Sequence, residues 1–185
     1  MNWLWILLAL AIFVVLIFIY YYNRFVVLSN RIDNSLSQID VQLKRRTDLI
    51  PNLIESVKGY AKHEKTVIKS VSDARKSLVS AKNTTDKLAA DSLLEKALGK
   101  LFAIAEAYPD LKANTNFLEL QRELSTTEDR IAYARQFYND SILSYNNMCQ
   151  SFPGSFFANL YGRKPKEHLK IAESERKNVK VDFKD

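Results

Sequence analysis

An uninterrupted run of twenty uncharged residues, 3–22, constrains this chain more than any other feature of its sequence. A helix rises about 1.5 Å per residue, so such a run spans roughly 30 Å, the thickness of the hydrocarbon core of a bilayer. Two tryptophans stand near one end of the run and three tyrosines at the other, as is typical of aromatic residues at both membrane interfaces. We therefore expect residues 1–22 to form an uncleaved membrane anchor, with the lipid bilayer as a partner.

The distribution of charge predicts how this anchor is oriented. Residues 23–46 contain five basic and two acidic side chains, whereas no Lys or Arg precedes the apolar run. By the positive-inside rule, the N-terminus is expected outside the cell membrane and the C-terminal domain in the cytoplasm. Residues 47–162 carry fourteen basic and fourteen acidic side chains and lack the concentrated positive charge of a nucleic-acid-binding domain. No nucleic-acid partner is therefore expected.

Beyond the anchor, the spacing of apolar residues predicts an all-α fold. One seam alternates spacings of three and four from Leu36 to Leu78, which favours helices packed as a bundle. We predict an elongated antiparallel bundle of three long helices, the first covering residues 23–81, followed by a short C-terminal helix or tail. The expected domains are the anchor at 1–22, the helical bundle at 23–150, and a loop with a basic tail at 151–185.

A proline inside the first predicted helix leaves two arrangements open. The seam keeps its phase across Pro51, which favours a bent helix, whereas a reversal of the chain at Pro51 would produce a four-helix bundle. In the bent arrangement the later helices are too short to cover the seam nearest the membrane. We then expect that the tail, a second copy or a partner protein covers an apolar stripe made of Leu36, Ile39, Leu43 and Ile50.

Charged side chains interrupt the seam at Arg46 and Glu64. Because buried charges are normally paired, Arg46 is expected to form an ion pair inside or beside the bundle. A contact with lipid headgroups and a phosphate site at residues 44–46 are the other interpretations. The polar side chains expected to act as contacts within the bundle, or as a recognition face, are Arg45, Arg46, Asp48, Glu64, Glu123, Glu128 and Arg135.

The usual patterns of catalytic and metal-binding residues do not occur in the sequence. One Cys and two His do not make a common zinc-ligand set. The motifs of P-loop nucleotide hydrolases, serine hydrolases, dinucleotide-binding enzymes and zinc proteases are missing as well. We therefore expect no catalysis, no cofactor and no metal.

Three stretches resemble the LemA family: residues 39–61 (IDVQLKRRTDLIPNLIESVKGYA), 105–113 (AEAYPDLKA) and 120–124 (LQREL). The resemblance extends along essentially the whole chain. It implies a bacterial single-pass membrane protein with a helical bundle, of a family whose members are proposed to act with other membrane proteins.

The resemblance and the residue patterns together give one expected function and two alternatives. The expected function is a membrane-anchored cytoplasmic scaffold or adaptor that binds a membrane protein or itself, without catalysis. One alternative is a regulatory or accessory subunit of a membrane enzyme such as a metalloprotease. The other is a binder of anionic ligands or nucleic acid.

Overall fold

The computed structural model describes residues 2–60 and 64–169, which form helices joined by short turns. These helices are α1 (Asn2–Lys58), α2 (Lys65–Ser80), α3 (Thr84–Ala105), α4 (Pro109–Lys112), α5 (Thr115–Gln150) and α6 (Gly154–Leu160). No strand occurs within the described residues, and the all-α prediction is confirmed. The part of the predicted basic tail that begins at Lys170 lies outside the described residues.

Contacts divide the chain into two compact units. The first, which we call the anchor unit, consists of the described residues 2–38 and 134–168. The second, which we call the bundle unit, consists of the described residues within 39–133 together with Leu169. Both units contain part of α1 and part of α5.

The N-terminal part of α1 is apolar and unburied. By its length and composition this helix can cross a membrane, and its most apolar stretch is not buried against the rest of the chain. Trp3, for example, keeps 81% of its surface exposed. An apolar surface of this extent is stable in lipid but not in water, which supports a membrane-associated protein.

In the anchor unit, α1 packs against α5 immediately beyond the apolar stretch. Phe25, Leu28 and Ile32 of α1 and Ile142 and Tyr145 of α5 are all buried. The rings of Phe25 and Tyr145 meet edge to face with their centres 5.9 Å apart. This geometry is favourable for aromatic pairs.

In the bundle unit, the chain reverses direction after Lys58. The expectation of one helix over residues 23–81 is therefore wrong, because α1 ends at Lys58 and α2 begins at Lys65. The seam kept its phase across the turn, so periodicity alone did not reveal the break. The bundle unit contains four main helical segments, from α1, α2, α3 and α5, and the reversal that gives four segments lies between Lys58 and Lys65 and not at Pro51.

Pro51 lies inside α1 without ending it. A proline lacks the amide N–H that would bond to the carbonyl four residues earlier, here the carbonyl of Thr47. That carbonyl instead accepts a hydrogen bond of 2.8 Å from Nε of Arg75 in α2. The neighbouring helix thus supplies the donor that the proline removes.

The expected uncovered stripe is largely part of the core. Ile39, Leu43 and Ile50 have only 0%, 3% and 0% of their surfaces exposed. Leu36 is half-buried. The prediction that these residues need a cover from outside the bundle is therefore wrong, because the reversal after Lys58 brings α2 back along α1.

Two asparagines begin the later helices. Asn83 caps α3 by accepting a 2.8 Å hydrogen bond from the amide of Asp86. Asn114 accepts a 3.0 Å bond from the amide of Phe117 at the start of α5. The one-turn helix α4, which contains Pro109 and Asp110, lies between α3 and α5.

Candidate functional site

The most deeply buried charged side chain in the described structure is Arg46, whose side chain is 2% exposed. It occupies a position of the apolar seam of α1, so the helical period directs it into the bundle unit. An isolated guanidinium buried in this way would be strongly unfavourable. The neighbouring helices must therefore supply negative charge.

Asp91 of α3 supplies the nearest carboxylate. Its side chain is 8% exposed, and Nη1 of Arg46 donates to both of its oxygens at 3.2 Å. Glu128 of α5, whose side chain is 51% exposed, adds a second carboxylate, and its Oε2 lies 3.7 Å from Nη2 of Arg46. Three helices are thus linked through one side chain. We call Arg46, Asp91 and Glu128 the buried ion cluster, after its two buried members.

A cleft of about 340 Å³ lies beside the buried ion cluster, lined in part by Arg46, Glu95, Phe102, Gln121 and Glu128. Nε of Arg46 is buried and has no hydrogen-bond partner. The lining of the cleft combines polar and apolar side chains. It contains no group of three or more His, Cys, Asp or Glu suited to a metal ion, nor does any other part of the described chain.

More exposed ion pairs surround the cluster. Nη2 of Arg45 lies 3.0 Å from Oε2 of Glu123, with both side chains partly exposed. Nζ of Lys44 lies 3.0 Å from Asp48 one turn along α1, on the solvent-exposed surface. Exposed pairs of this kind add about 0.2–1 kcal/mol each, so they contribute less than the buried contacts.

The remaining predicted polar residues lie apart from the buried ion cluster. Glu64 precedes α2, and its Oε1 accepts a 3.3 Å hydrogen bond from the hydroxyl of Tyr108. Partial desolvation raises the pKa of Tyr108, and the nearby Glu64 carboxylate raises it further. Arg135 is half-buried in α5 and belongs to the anchor unit, not to the bundle unit that contains Arg46.

Sequence reasoning singled out Arg46 and Glu128 but missed Asp91. The signal was present in the apolar stripe of α3, where Asp91 stands three residues after Leu88 and three before Leu94. Both leucines are buried, so the aspartate occupies an interior position. An acidic residue on an apolar stripe of one helix and a basic residue on that of another predict a buried ion pair.

Comparisons with known proteins identify the family to which the chain is related. The LemA family model matches residues 35–183. The chain is 28% identical to "Magnetosome protein MamQ" of Magnetospirillum gryphiswaldense, with 80% of this chain and 64% of that protein aligned. "Magnetosome protein MamQ 2" of Paramagnetospirillum magneticum has the same identity and coverage.

A further relative carries the family's name. "Protein LemA" of Metamycoplasma hominis is 29% identical over 66% of this chain and 57% of its own length. The chain thus spans less than two thirds of the length of these curated relatives. The family model, however, covers most of the chain, including every helical segment that lies within the bundle unit. This bacterial-type, membrane-associated protein belongs to the LemA family.

Proposed function

We propose that the protein is a membrane-anchored scaffold or adaptor for other membrane proteins, with its helical body in the cytoplasm and no catalytic activity of its own. The observation that carries the proposal is the continuity of α1. The same 57-residue helix begins in the unburied apolar stretch and later supplies core residues of the bundle unit. The helix continues through Pro51, where the carbonyl of Thr47 accepts a hydrogen bond from Arg75.

The charged groups of the bundle unit support a binding role more than a chemical one. Arg46 has both terminal nitrogens engaged by Asp91 and Glu128, and such contacts set helix register. We propose that the domain boundaries at residues 22 and 150 separate the anchor, the interaction domain and a basic tail. Two relatives are named as magnetosome proteins. From these names we infer for this chain only that it associates with a larger cellular assembly.

The orientation is also part of the proposal. Arg24, Arg31 and residues 44–46 follow the apolar stretch, and a surplus of positive charge on that side favours the cytoplasm. A reporter fused after Asp185 is expected to be active in the cytoplasm of a bacterial host. Activity only on the outer side would contradict this orientation.

Photocrosslinking in intact membranes tests the adaptor role. A photoreactive amino acid is placed at one of three exposed apolar positions of the bundle unit, Val79, Leu93 or Leu118. The expected result is a reproducible adduct with one membrane protein from at least one position. A matched probe at Trp3, in the apolar stretch, identifies adducts that arise from proximity in the bilayer alone.

The identity of the adduct separates the alternatives. A partner without catalytic activity supports the adaptor, whereas a membrane metalloprotease whose activity changes when this chain is deleted supports an accessory subunit. Adducts that form only at Trp3 would contradict both protein-binding roles.

A further inference from the structure

The last helix of the described residues, α6, packs against the end of the apolar stretch of α1 through aromatic side chains. Phe157 is buried, its ring stacks on that of Tyr21 with centres 4.3 Å apart, and it meets the ring of Phe18 edge to face at 5.1 Å. The hydroxyl of Tyr161 donates a 2.9 Å hydrogen bond to the backbone carbonyl of Phe18. All of these residues belong to the anchor unit.

These contacts place α6 at a defined depth. Phe18 stands four residues before Tyr22, the last residue of the apolar run, so it lies about 6 Å inside that end by the helical rise. Helices that lie in a membrane interface bury their apolar faces about 5–10 Å into the boundary between headgroups and acyl chains. A helix bound to Phe18 and Tyr21 therefore reaches this boundary when the apolar stretch spans the bilayer.

The segment that contains α6 is held firmly in place. A Cβ on Gly154 would lie 2.2 Å from the carbonyl oxygen of Met148, so the start of α6 approaches the end of α5 as closely as glycine allows. After α6, the amide of Arg163 donates to the carbonyl of Ala158 at 2.8 Å. Asn146 then forms two 2.8 Å hydrogen bonds with the backbone of Lys166. The orientation of α6 is therefore fixed by contacts on both sides of it.

The outer side of this segment is apolar and exposed. Phe156 and Leu160, four residues apart on α6, have 58% and 54% of their surfaces exposed, and Phe152, in the turn before α6, has 89% exposed. Exposed large apolar side chains close together in one segment are unfavourable in water. Exposed basic residues, Arg24 and Lys164, lie near the same segments in sequence, and such residues interact favourably with anionic headgroups.

We propose that α6 and the preceding Phe152 form a second membrane contact that lies in the bilayer interface. Phe152, Phe156 and Leu160 enter the region where the acyl chains begin, while Phe157 and Tyr161 bind the anchor helix. The lipid interface is the occupant because Phe157 and Tyr161 hold α6 against the end of the apolar stretch, at the depth where the acyl chains begin. The proposal rests on the membrane anchoring of α1 and is independent of the adaptor role.

Depth-dependent fluorescence quenching of the full chain tests this contact. In a Cys149→Ala background, Phe156→Cys is labelled with the environment-sensitive dye NBD and reconstituted into vesicles of phosphatidylcholine and phosphatidylglycerol. Ser144→Cys, at an exposed position of α5 in the same unit, is the matched control. Circular dichroism and vesicle flotation verify that both labelled proteins are helical and inserted.

The expected result is a blue-shifted NBD emission at position 156, with several-fold stronger quenching by doxyl-labelled lipids than at position 144. Aqueous iodide should quench the dye at position 144 more strongly than the dye at position 156. The proposal is overturned if inserted protein labelled at position 156 is quenched by iodide as strongly as the control and is insensitive to the lipid quencher. That outcome would leave the face free for a protein partner. Because the purified chain is studied without a partner, failure of the adaptor role does not affect this result.

Discussion

The anchor unit and the bundle unit both have apolar cores, but they differ in the other contacts that join their helices. In the anchor unit several of these contacts are stacked or edge-to-face rings, such as Phe157 on Tyr21. In the bundle unit a mostly aliphatic core also contains the charged Arg46, which three helices share through its carboxylate partners. Ring packing depends on shape and buried area, whereas a buried ion pair depends on the presence of both charges. The two units should therefore respond to different perturbations.

Removal of one member of the buried ion cluster should have the largest effect. Asp91→Ala leaves the guanidinium of Arg46 without its nearest carboxylate, and loss of one partner of a buried pair costs about 3–5 kcal/mol. We expect the free energy of unfolding, measured by urea denaturation of the full chain in detergent micelles, to fall by this amount. Hydrogen exchange should accelerate in α3 and in residues 39–58 of α1.

Two further variants sharpen this test. Asp129→Ala removes an exposed acidic side chain of the same unit and should change stability by less than about 0.5 kcal/mol. The double variant Arg46→Met, Asp91→Leu removes both charges and should recover most of the loss, as apolar replacements of buried pairs often do. A double variant as unstable as Asp91→Ala would contradict the assigned role of the pair.

The hydrogen bond that bridges Pro51 is the next contact to test. Arg75→Ala leaves the carbonyl of Thr47 without its charged donor, which should cost about 1.5–3 kcal/mol. In a Pro51→Ala background the new amide N–H at position 51 can donate to the same carbonyl. Arg75→Ala should therefore lower the free energy of unfolding by less in this background than in the protein with Pro51. Urea denaturation of the four proteins of this double-mutant cycle measures the coupling. Equal costs in both backgrounds would show that Arg75 does not compensate for the proline.

Two glycines, one in each unit, test how tightly the helices approach each other. Gly154→Ala should destabilise the anchor unit by about 1–3 kcal/mol, because the added methyl group must displace the backbone at Met148. Gly99→Ala is the matched control in α3, where an added Cβ meets no atom within 4 Å. It should stabilise the bundle unit by about 0.4–1 kcal/mol. Thermal unfolding followed by circular dichroism measures both, and a neutral Gly154→Ala would argue against a fixed α6.

Alkaline pH should weaken the anchor unit gradually. Burial raises the pKa of Tyr138, helped by Asp33, and burial also raises the pKa values of Tyr145 and Cys149. Below the unfolded-state pKa values, about 8.5 for Cys and 10 for Tyr, both states are protonated and stability is unaffected. As the pH rises through that range, the unfolded chain ionises first and the folded state loses stability.

Hydrogen exchange in residues 134–150 across this pH range, corrected for the intrinsic rate, measures the effect. Cys149→Ala should remove the loss of stability that begins near the lower of the two unfolded-state pKa values, that of Cys. Constant protection up to about pH 11 would contradict the raised pKa values.

The helical class, the apolar stretch and the interior position of Arg46 were predictable because each depends on local spacing. Residues spaced three and four apart lie on one face of a helix, and this holds whichever element that face packs against. The turn after Lys58 was not predictable in this way, because the apolar seam continues in phase from Val57 to Val71 on either side of it. Gly59 was the available signal, as no other glycine occurs before Gly99.

The sequence by itself determined the membrane-associated, all-α character of this LemA-family protein, because apolar length and helical period are properties of consecutive residues. Only the tertiary structure decided that Ile39, Leu43 and Ile50 are core residues, that Asp91 neutralises Arg46, and that Arg75 satisfies the carbonyl left free by Pro51. Each of these three results joins residues at least 28 positions apart or depends on where the chain reverses. Burial and charge pairing are decided by such long-range contacts, which local patterns do not encode.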